Sequence, residues 1–178
     1  MPRNVEIKAR IGSVAELAPK AAAIADQGPI EIVQDDTFFA CDAGRMKLRA
    51  FSAKRGELIF YRRADQHGPK ESFYLLSKTE DPDGLRALLS TAYGQAGRVQ
   101  KQRTLFLAGR TRIHLDDVAG LGSFLELEVV LEDGESTEAG VRVAHEVMAQ
   151  LGVEPSQLVE AAYVDLLRAR AEEGQAGG

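Results

Sequence analysis

The segment 110–131, RTRIHLDDVAGLGSFLELEVVL, narrows the folds open to this chain more than any other stretch. In its second half Leu125, Leu127, Val129 and Leu131 alternate with Phe124, Glu126, Glu128 and Val130, so a period of two puts both glutamates on one face. In its first half Arg110, Arg112, His114 and Asp116 share a face opposite Thr111, Ile113 and Leu115, and Gly120 and Gly122 mark the turn between the runs. Paired as a hairpin, the two runs collect cations and carboxylates on one surface and aliphatic side chains on the other. A single polar surface of this kind commonly faces water in an antiparallel sheet. The other strands decide which side is inside.

The same division recurs along the chain. Residues 4–11 alternate Val5, Ile7, Ala9 and Ile11 with Asn4, Glu6, Lys8 and Arg10. Residues 31–40 carry Gln34, Asp36 and Phe38 on one face, and after the Asp42-Ala43-Gly44 turn residues 45–51 carry Arg45, Lys47 and Arg49 on one face. A hairpin at Arg55-Gly56 leads into 57–65, where Arg62 and Arg63 must point to opposite sides; Arg63, in phase with Ile59 and Tyr61, is taken as the inward one. Residues 72–77 follow a glycine- and proline-containing loop, with Lys70 in phase before them. Residues 99–108 place Lys101 and Arg103 in phase with Leu105 and Leu107.

Four helices are expected between and after these strands. Ser13 can cap one through Ile24, with Gly28-Pro29 as its stop; a second runs from Pro82-Asp83-Gly84 through Ala92, ended by Gly94 and Gly97. Ser136 or Thr137 can cap a third, with Val141, Ala144, His145, Met148 and Leu151 along its apolar side. The fourth is expected over 156–170, with Leu158, Val159, Ala162, Tyr163, Leu166 and Leu167 buried. Residues 1–172 read as one domain and 173–178 as a disordered tail.

At least five strands combine an apolar face with a face bearing Lys or Arg. Arginine is heavily represented on those faces, and its guanidinium is the side chain best shaped for bidentate contact with phosphate oxygens. Carboxylates in i, i+2 pairs suit Mg²⁺ or Mn²⁺, which prefer oxygen ligands and bridge to substrate phosphates. A polar interior also gives the helices their place, covering the apolar outside of a closed or nearly closed antiparallel barrel.

The charge balance and the lone cysteine restrict partners. With 28% charged residues and a net charge of −5, the chain is not a general nucleic-acid binder. Cys41 is the one cysteine, so an internal disulfide and a cysteine metal cluster are both excluded. Without a signal-like or membrane-length apolar segment, a soluble cytoplasmic protein with no membrane partner is expected, as a monomer or homodimer. A Walker-type ATPase is excluded by the lack of a glycine-rich phosphate loop.

Asn4-Val-Glu-Ile-Lys8 resembles the ExExK signature of the CYTH family, the triphosphate tunnel metalloenzymes that include class IV adenylate cyclases and thiamine triphosphatases. Asp36-Thr-Phe-Phe, Lys47-Leu-Arg49, Leu58-Ile-Phe-Tyr-Arg-Arg63, Lys101-Gln-Arg103, Arg112-Ile-His-Leu-Asp116 and Phe124-Leu-Glu-Leu-Glu128 resemble its later blocks in the same order, as does Tyr163-Val-Asp-Leu-Leu. The ordered set is most similar to the cyclase-like branch. The resemblance implies an α+β fold: an eight-stranded antiparallel barrel or tunnel with a polar, charged interior and helices packed outside. It further implies that Lys8, Lys47, Arg49, Arg63, Arg103 and Arg112 hold phosphate oxygens, and that Glu6, Asp116, Glu126 and Glu128 hold Mg²⁺ or Mn²⁺. Glu6, Lys8 and Glu128 would form the catalytic centre. Asn4 departs from the signature, an amide where the family has its first glutamate, which weakens metal binding at that end.

The function expected is a divalent-metal-dependent phosphohydrolase removing a terminal phosphate from tripolyphosphate or a nucleoside triphosphate. Alternatives are a class IV adenylate cyclase forming cyclic AMP and pyrophosphate, a thiamine triphosphatase, or a non-catalytic triphosphate or polyphosphate binder. Hydrolysis is favoured over cyclisation because no nucleobase reader is evident, and the chain has no tryptophan to serve as a platform for a thiamine ring. His114 fits ligand orientation and a structural hydrogen bond equally. Tyr163 reads as helix packing, Lys70 as a solubilising loop residue, and Cys41 as inert.

Overall fold

A computed structural model describes residues 3–63 and 72–177. Its eight strands are β1 (Arg3–Arg10), β2 (Gln27–Phe39), β3 (Arg45–Ser52), β4 (Arg55–Arg63), β5 (Ser72–Thr79), β6 (Gln95–Ala108), β7 (Thr111–Val118) and β8 (Gly122–Leu131). The helices are α1 (Val14–Ile24), α2 (Pro82–Tyr93), α3 (Thr137–Gln150) and α4 (Tyr163–Ala176). One sheet holds all the strands in the order β1-β8-β7-β6-β2-β3-β4-β5, and every pairing is antiparallel.

The sheet is a tunnel by curvature and is not closed by hydrogen bonds. Strands β1 and β5 are its two edges, yet Glu6 and Lys8 of β1 and Tyr74 and Leu76 of β5 line the same cavity. The β1 edge is covered by the segment before α4. Ala9 pairs with Leu158, and the Val159 N–H donates to the Lys8 carbonyl. That segment supplies a backbone partner to part of an otherwise open edge.

Alternation sends the aliphatic residues outward under the helices. Ile113, Leu115, Leu125 and Leu127 are buried beneath Leu17 and Ala21 of α1 and Val147, Met148 and Leu151 at α3. Val5, Val129 and Leu131 pack on Ala144 of α3, and Phe39 and Leu48 pack on Leu89 of α2. Gly140 permits the close approach of α3, since a Cβ there would lie 2.5 Å from Leu131 Cδ2 and 2.7 Å from Val5 Cγ2. Caps follow the local chemistry: Ser13, Asp81 and Ser136 accept from backbone N–H groups at the starts of α1, α2 and α3.

Several sequence expectations change. Gly28-Pro29 is not a stop but part of β2, which starts at Gln27; Gly97 likewise lies within β6. In α3 the buried side chains include Val147, whereas His145 is exposed and lines the cavity. The last helix begins at Tyr163 rather than 156, because 158–162 run extended along β1. It continues through Ala176, across most of the expected tail. Three helices lie outside the sheet, but the first turn of α4 enters the inside: Tyr163 and Val164 pack against Phe38, Ile59, Tyr61, Val99, Val118 and Phe124. The reason is on the strands themselves, whose inner faces turn apolar at that end. Among the described residues, no helix is long and apolar enough to cross a membrane.

Candidate functional site

Inside the curved sheet is a cavity of about 640 Å³. The register explains who meets there. Residues directly opposite in an antiparallel ladder share a face, and the pairs run Glu6 with Glu128 and Lys8 with Glu126 across β1–β8, then Arg112 with Glu128 and His114 with Glu126 across β7–β8. Arg103 stands opposite Asp116 across β6–β7, and Asp36 opposite Arg49 with Phe38 opposite Lys47 across β2–β3. Among the described residues lining the cavity are six cations, Lys8, Lys47, Arg49, Lys101, Arg103 and Arg112, and six carboxylates, Glu6, Asp36, Glu57, Glu126, Glu128 and Glu160.

Two carboxylates organise the buried cations. Asp36 Oδ1 accepts from Arg49 Nε at 2.8 Å, and its Oδ2 accepts from Arg49 at 2.7 Å and from Lys47 Nζ at 3.1 Å. Although burial opposes ionisation of Asp36, Lys47 and Arg49 hold its carboxyl well below the usual range. One carboxylate cannot compensate two cations, and the cost falls on Lys47. Burial pushes its pKa down to about 7, with Asp36 offsetting part and Arg49 and Lys101 adding to the fall.

Asp116 plays the corresponding part on β7. It is fully buried, with Arg103 Nε 2.7 Å from Oδ1 and Arg103 Nη2 2.7 Å from Oδ2. The Tyr163 hydroxyl donates to Oδ2 at 2.8 Å, and Asp116 is not among the cavity-lining residues. Arg103 also donates to Glu126 at 2.9 Å, and Lys8 Nζ lies 3.6 Å from the other oxygen of Glu126. Burial opposes ionisation of Glu126, but Arg103, Lys101 and Lys8 together keep its carboxyl well below the ordinary value.

The Tyr163 ring is a hub. Lys8 Nζ sits 4.1 Å and Lys101 Nζ 4.9 Å from its centroid, within cation–π range, and Phe124 meets it edge to face at 5.0 Å. Lys8 further donates to the Ala161 carbonyl at 3.0 Å. Burial and the Glu126 and Asp116 carboxylates push the phenol far above its ordinary value, so it acts as a hydrogen-bond donor at every physiological pH.

The acidic end has different chemistry. Glu128 faces Glu6 across the β1–β8 ladder, and burial together with the Glu6 and Glu126 charges raises the Glu128 carboxyl above its usual range. Arg112, with its side chain 51% exposed, reaches Glu128 at 3.4 Å. His114 lies 3.9 Å from Glu128, but its buried Nδ1 has no hydrogen-bond partner among the described residues, and burial followed by Arg103 pushes its pKa down to about 3. His114 is therefore neutral.

Of the residues expected at the site, Glu6, Lys8, Lys47, Arg49, Arg103, Arg112, Glu126 and Glu128 line one cavity. The side chains of Arg63 and Lys70 lie outside the described residues. Among the described residues no three His, Cys, Asp or Glu side chains gather closely enough to hold a metal ion by themselves. The four-carboxylate set divides: Asp116 and Glu126 are spent on arginine and lysine, while Glu6 and Glu128 repel one another. A pair of repelling carboxylates fits Mg²⁺, which takes one or two protein carboxylates and completes its shell with water and phosphate oxygens. Residues not assigned to the site from sequence are Asp36, Lys101 and Tyr163. The phase of Lys101 with Arg103, and of Asp36 with Phe38, was the signal for the first two.

A family model described as CYTH domain matches residues 2–163. No curated protein matches the sequence. Among solved structures, the PH1012 protein of Pyrococcus horikoshii is similar at 21% identity with a TM-score of 0.80, over 92% of this chain and 99% of that one. A protein of Vibrio parahaemolyticus described as a candidate adenylate cyclase is similar at 17% identity with a TM-score of 0.66, over 93% and 98%. The Hippeastrum protein HpAC1, an adenylyl cyclase candidate described as having a dominant triphosphatase activity, is similar at 13% identity with a TM-score of 0.68, over 95% and 96%. With the family match over nearly its whole length and the fold these structures share with it, this chain belongs to the CYTH domain family.

Proposed function

We propose that the protein is a divalent-metal-dependent phosphohydrolase that removes the terminal phosphate of a triphosphate. The observation that carries this reading is the convergence of six cations from four strands on one cavity, where the described ionic partners are carboxylates that an incoming polyanion can replace. Lys47 and Arg49, sharing Asp36, are the under-compensated pair and would take phosphate oxygens first. Lys101 and Arg103 would hold the centre of the chain of phosphates, with Lys8 beside them and Arg112 at the half-exposed end. Asp116, which is not among the cavity-lining residues, and Tyr163, which is, would position Arg103 and the two lysines.

Glu6 and Glu128 would hold Mg²⁺ or Mn²⁺, and the bound ion supplies charge neutralisation and polarisation of the phosphorus–oxygen bond. The cations then stabilise charge on the oxygens of the transferred group, which is where phosphoryl transfer gains most of its rate. Hydrolysis needs only a positioned water besides this machinery. The Hippeastrum protein, which has the same fold and a dominant triphosphatase activity, supports the same choice.

A product assay tests the reading. Incubation with ATP, tripolyphosphate and thiamine triphosphate in Mg²⁺ or Mn²⁺ should release orthophosphate and leave the diphosphate. Cyclic AMP with pyrophosphate would replace it by the cyclase reading, and binding without any product by the non-catalytic one.

A further inference from the structure

Among the described residues three lysines line the cavity, and their surroundings differ. Lys8 donates to the Ala161 carbonyl and lies beside Glu126. Lys101 stands 3.9 Å from Asp116 with 6% of its side chain exposed. Lys47 is more open, at 16%, and donates to Asp36 Oδ2 at 3.1 Å. A carboxylate accepts hydrogen bonds and donates none, so Asp36 orients the neutral form of this amine without occupying its lone pair. Burial brings the Lys47 pKa down to about 7. At pH 7.5 about three-quarters of such an amine is neutral, against about one part in a thousand for a lysine at 10.5. The neutral form is the nucleophile.

The neighbouring arginine sets what the amine can meet. Arg49 reaches Asp36 through Nε and Nη2, and its Nη2 lies 2.7 Å from the same oxygen that accepts from Lys47. The two nitrogens therefore stand no more than about 6 Å apart. A phosphoryl group held by Arg49 brings whatever is joined to it within reach of the Lys47 amine. If that is a carbonyl carbon, the electrophile is positioned and its leaving group is already bound by a cation.

We propose that Lys47 is an acylation site, at which an acyl phosphate held by Arg49 transfers its acyl group to the amine and thereby closes the cavity to polyanions. The inference rests on reading the cavity as a phosphate site and concerns its regulation. In the transfer the lysine nitrogen bonds to the acyl carbon, the bond from that carbon to the phosphate oxygen breaks, and the amine proton leaves with orthophosphate. The product amide is uncharged and carries the acyl group into the cavity. The site then has one cation fewer and less room.

The test treats the wild-type protein with acetyl phosphate in chelator at pH 7.5 and follows each lysine by peptide mass spectrometry. A less basic amine is also a weaker nucleophile, so the larger neutral fraction leaves Lys47 a net advantage of about tenfold. A charge-assisted hydrogen bond to the phosphate adds about tenfold more. Lys47 should therefore be acetylated about a hundredfold faster than the exposed Lys20 and Lys54, and added tripolyphosphate should protect Lys47 alone. With p-nitrophenyl acetate, which carries no phosphate, the preference should fall to about tenfold. Acetylated protein should bind tripolyphosphate at least about tenfold more weakly by calorimetry, whereas a Lys47→Arg protein given the same treatment should keep the affinity it had before. Equal rates at Lys47 and Lys54, or the same preference with both reagents, overturn the inference. Selective, protectable labelling of Lys47 in a protein that releases no orthophosphate from any triphosphate overturns the phosphohydrolase reading and leaves this one standing. Triphosphate turnover with Lys47 unlabelled does the reverse.

Discussion

Lys47 offers the sharpest test of the site's electrostatics. Its amine is buried on β3 with a side-chain exposure of 16%, 3.1 Å from Asp36 Oδ2, while Arg49 claims both oxygens of the same carboxylate. Burial dominates, and the pKa falls from 10.5 to about 7. Near neutrality the amine is half charged in the free protein. On the reading proposed above, a bound triphosphate would restore the charge, so binding would take up a proton and affinity would fall as pH rises above 7. If the bound amine titrates at its ordinary value, the charged fraction predicts affinity about fivefold weaker at pH 8 and about fiftyfold weaker at pH 9 than at pH 7. Folding responds with the opposite sign. Between pH 7 and 10.5 the unfolded chain holds a proton on Lys47 that the folded one lacks, so this group's contribution to stability rises with pH across that window. The assay is calorimetric titration with tripolyphosphate in chelator, where no turnover occurs, on wild type and Lys47→Arg. A guanidinium stays charged throughout, so the ratio of the two affinities cancels the titration of the ligand and of every other residue. A ratio that is flat from pH 7 to 9 refutes the reasoning.

Glu128→Gln should abolish Mg²⁺- or Mn²⁺-dependent turnover while leaving the melting temperature unchanged or raised, because it removes a carboxylate that Glu6 and Glu126 repel; turnover within twofold of wild type would reject the metal role. Asp116→Asn removes the bidentate carboxylate partner of the buried Arg103 guanidinium, leaving it Glu126, and should cost about 3 kcal/mol in chemical denaturation, with Mg²⁺ affinity unchanged in a direct metal titration. A loss of metal affinity at least as large as that at Glu128 would instead make Asp116 a ligand. Gly140→Ala places a methyl 2.5 Å from Leu131 Cδ2 and should cost about 1–3 kcal/mol by overpacking, read as a fall in denaturation midpoint; a neutral result would mean α3 can slide on β1 and β8.

The polar inside of this sheet was legible because alternation is local. Glu6 with Lys8, Lys47 with Arg49 and Glu126 with Glu128 each sit two residues apart, and strand geometry alone puts each pair on one face. What local pattern leaves open is the partner. Nothing in the spacing of Asp116 distinguishes a metal ligand from the anchor of Arg103; that depends on β6 and β7 meeting in one register and on Tyr163 arriving from 47 residues away. The segment 158–162 shows the same limit. Leu158, Val159 and Ala162 repeat with helical spacing, but the open edge of β1 supplies backbone partners that an extended chain satisfies better. Tyr163 then becomes the first residue of α4 and turns inward, where helix packing and site geometry are the same contact. His145 failed for a simpler reason, since one imidazole fits an apolar stripe and a cavity rim equally well.

The balance of six cations against six carboxylates in the cavity bears on how the tunnel selects its ligand. A cavity lined by cations alone would be costly to fold and would take any polyanion. Here the buried cations already lie beside internal anions: Asp36 shared by Lys47 and Arg49, Asp116 and Glu126 for Lys101 and Arg103. An entering phosphate must therefore compete with a carboxylate held at hydrogen-bond distance, and gains only the difference. A short anion reaching one pair gains little. A triphosphate spanning from Lys47 to Arg112 would gain at several pairs at once, together with the metal that Glu6 and Glu128 would hold on the reading proposed above. On that reading, selectivity for three phosphates over one would follow from these internal ion pairs, and an Asp36→Ala protein, with Lys47 and Arg49 deprived of their shared carboxylate, should lose that discrimination and bind orthophosphate measurably.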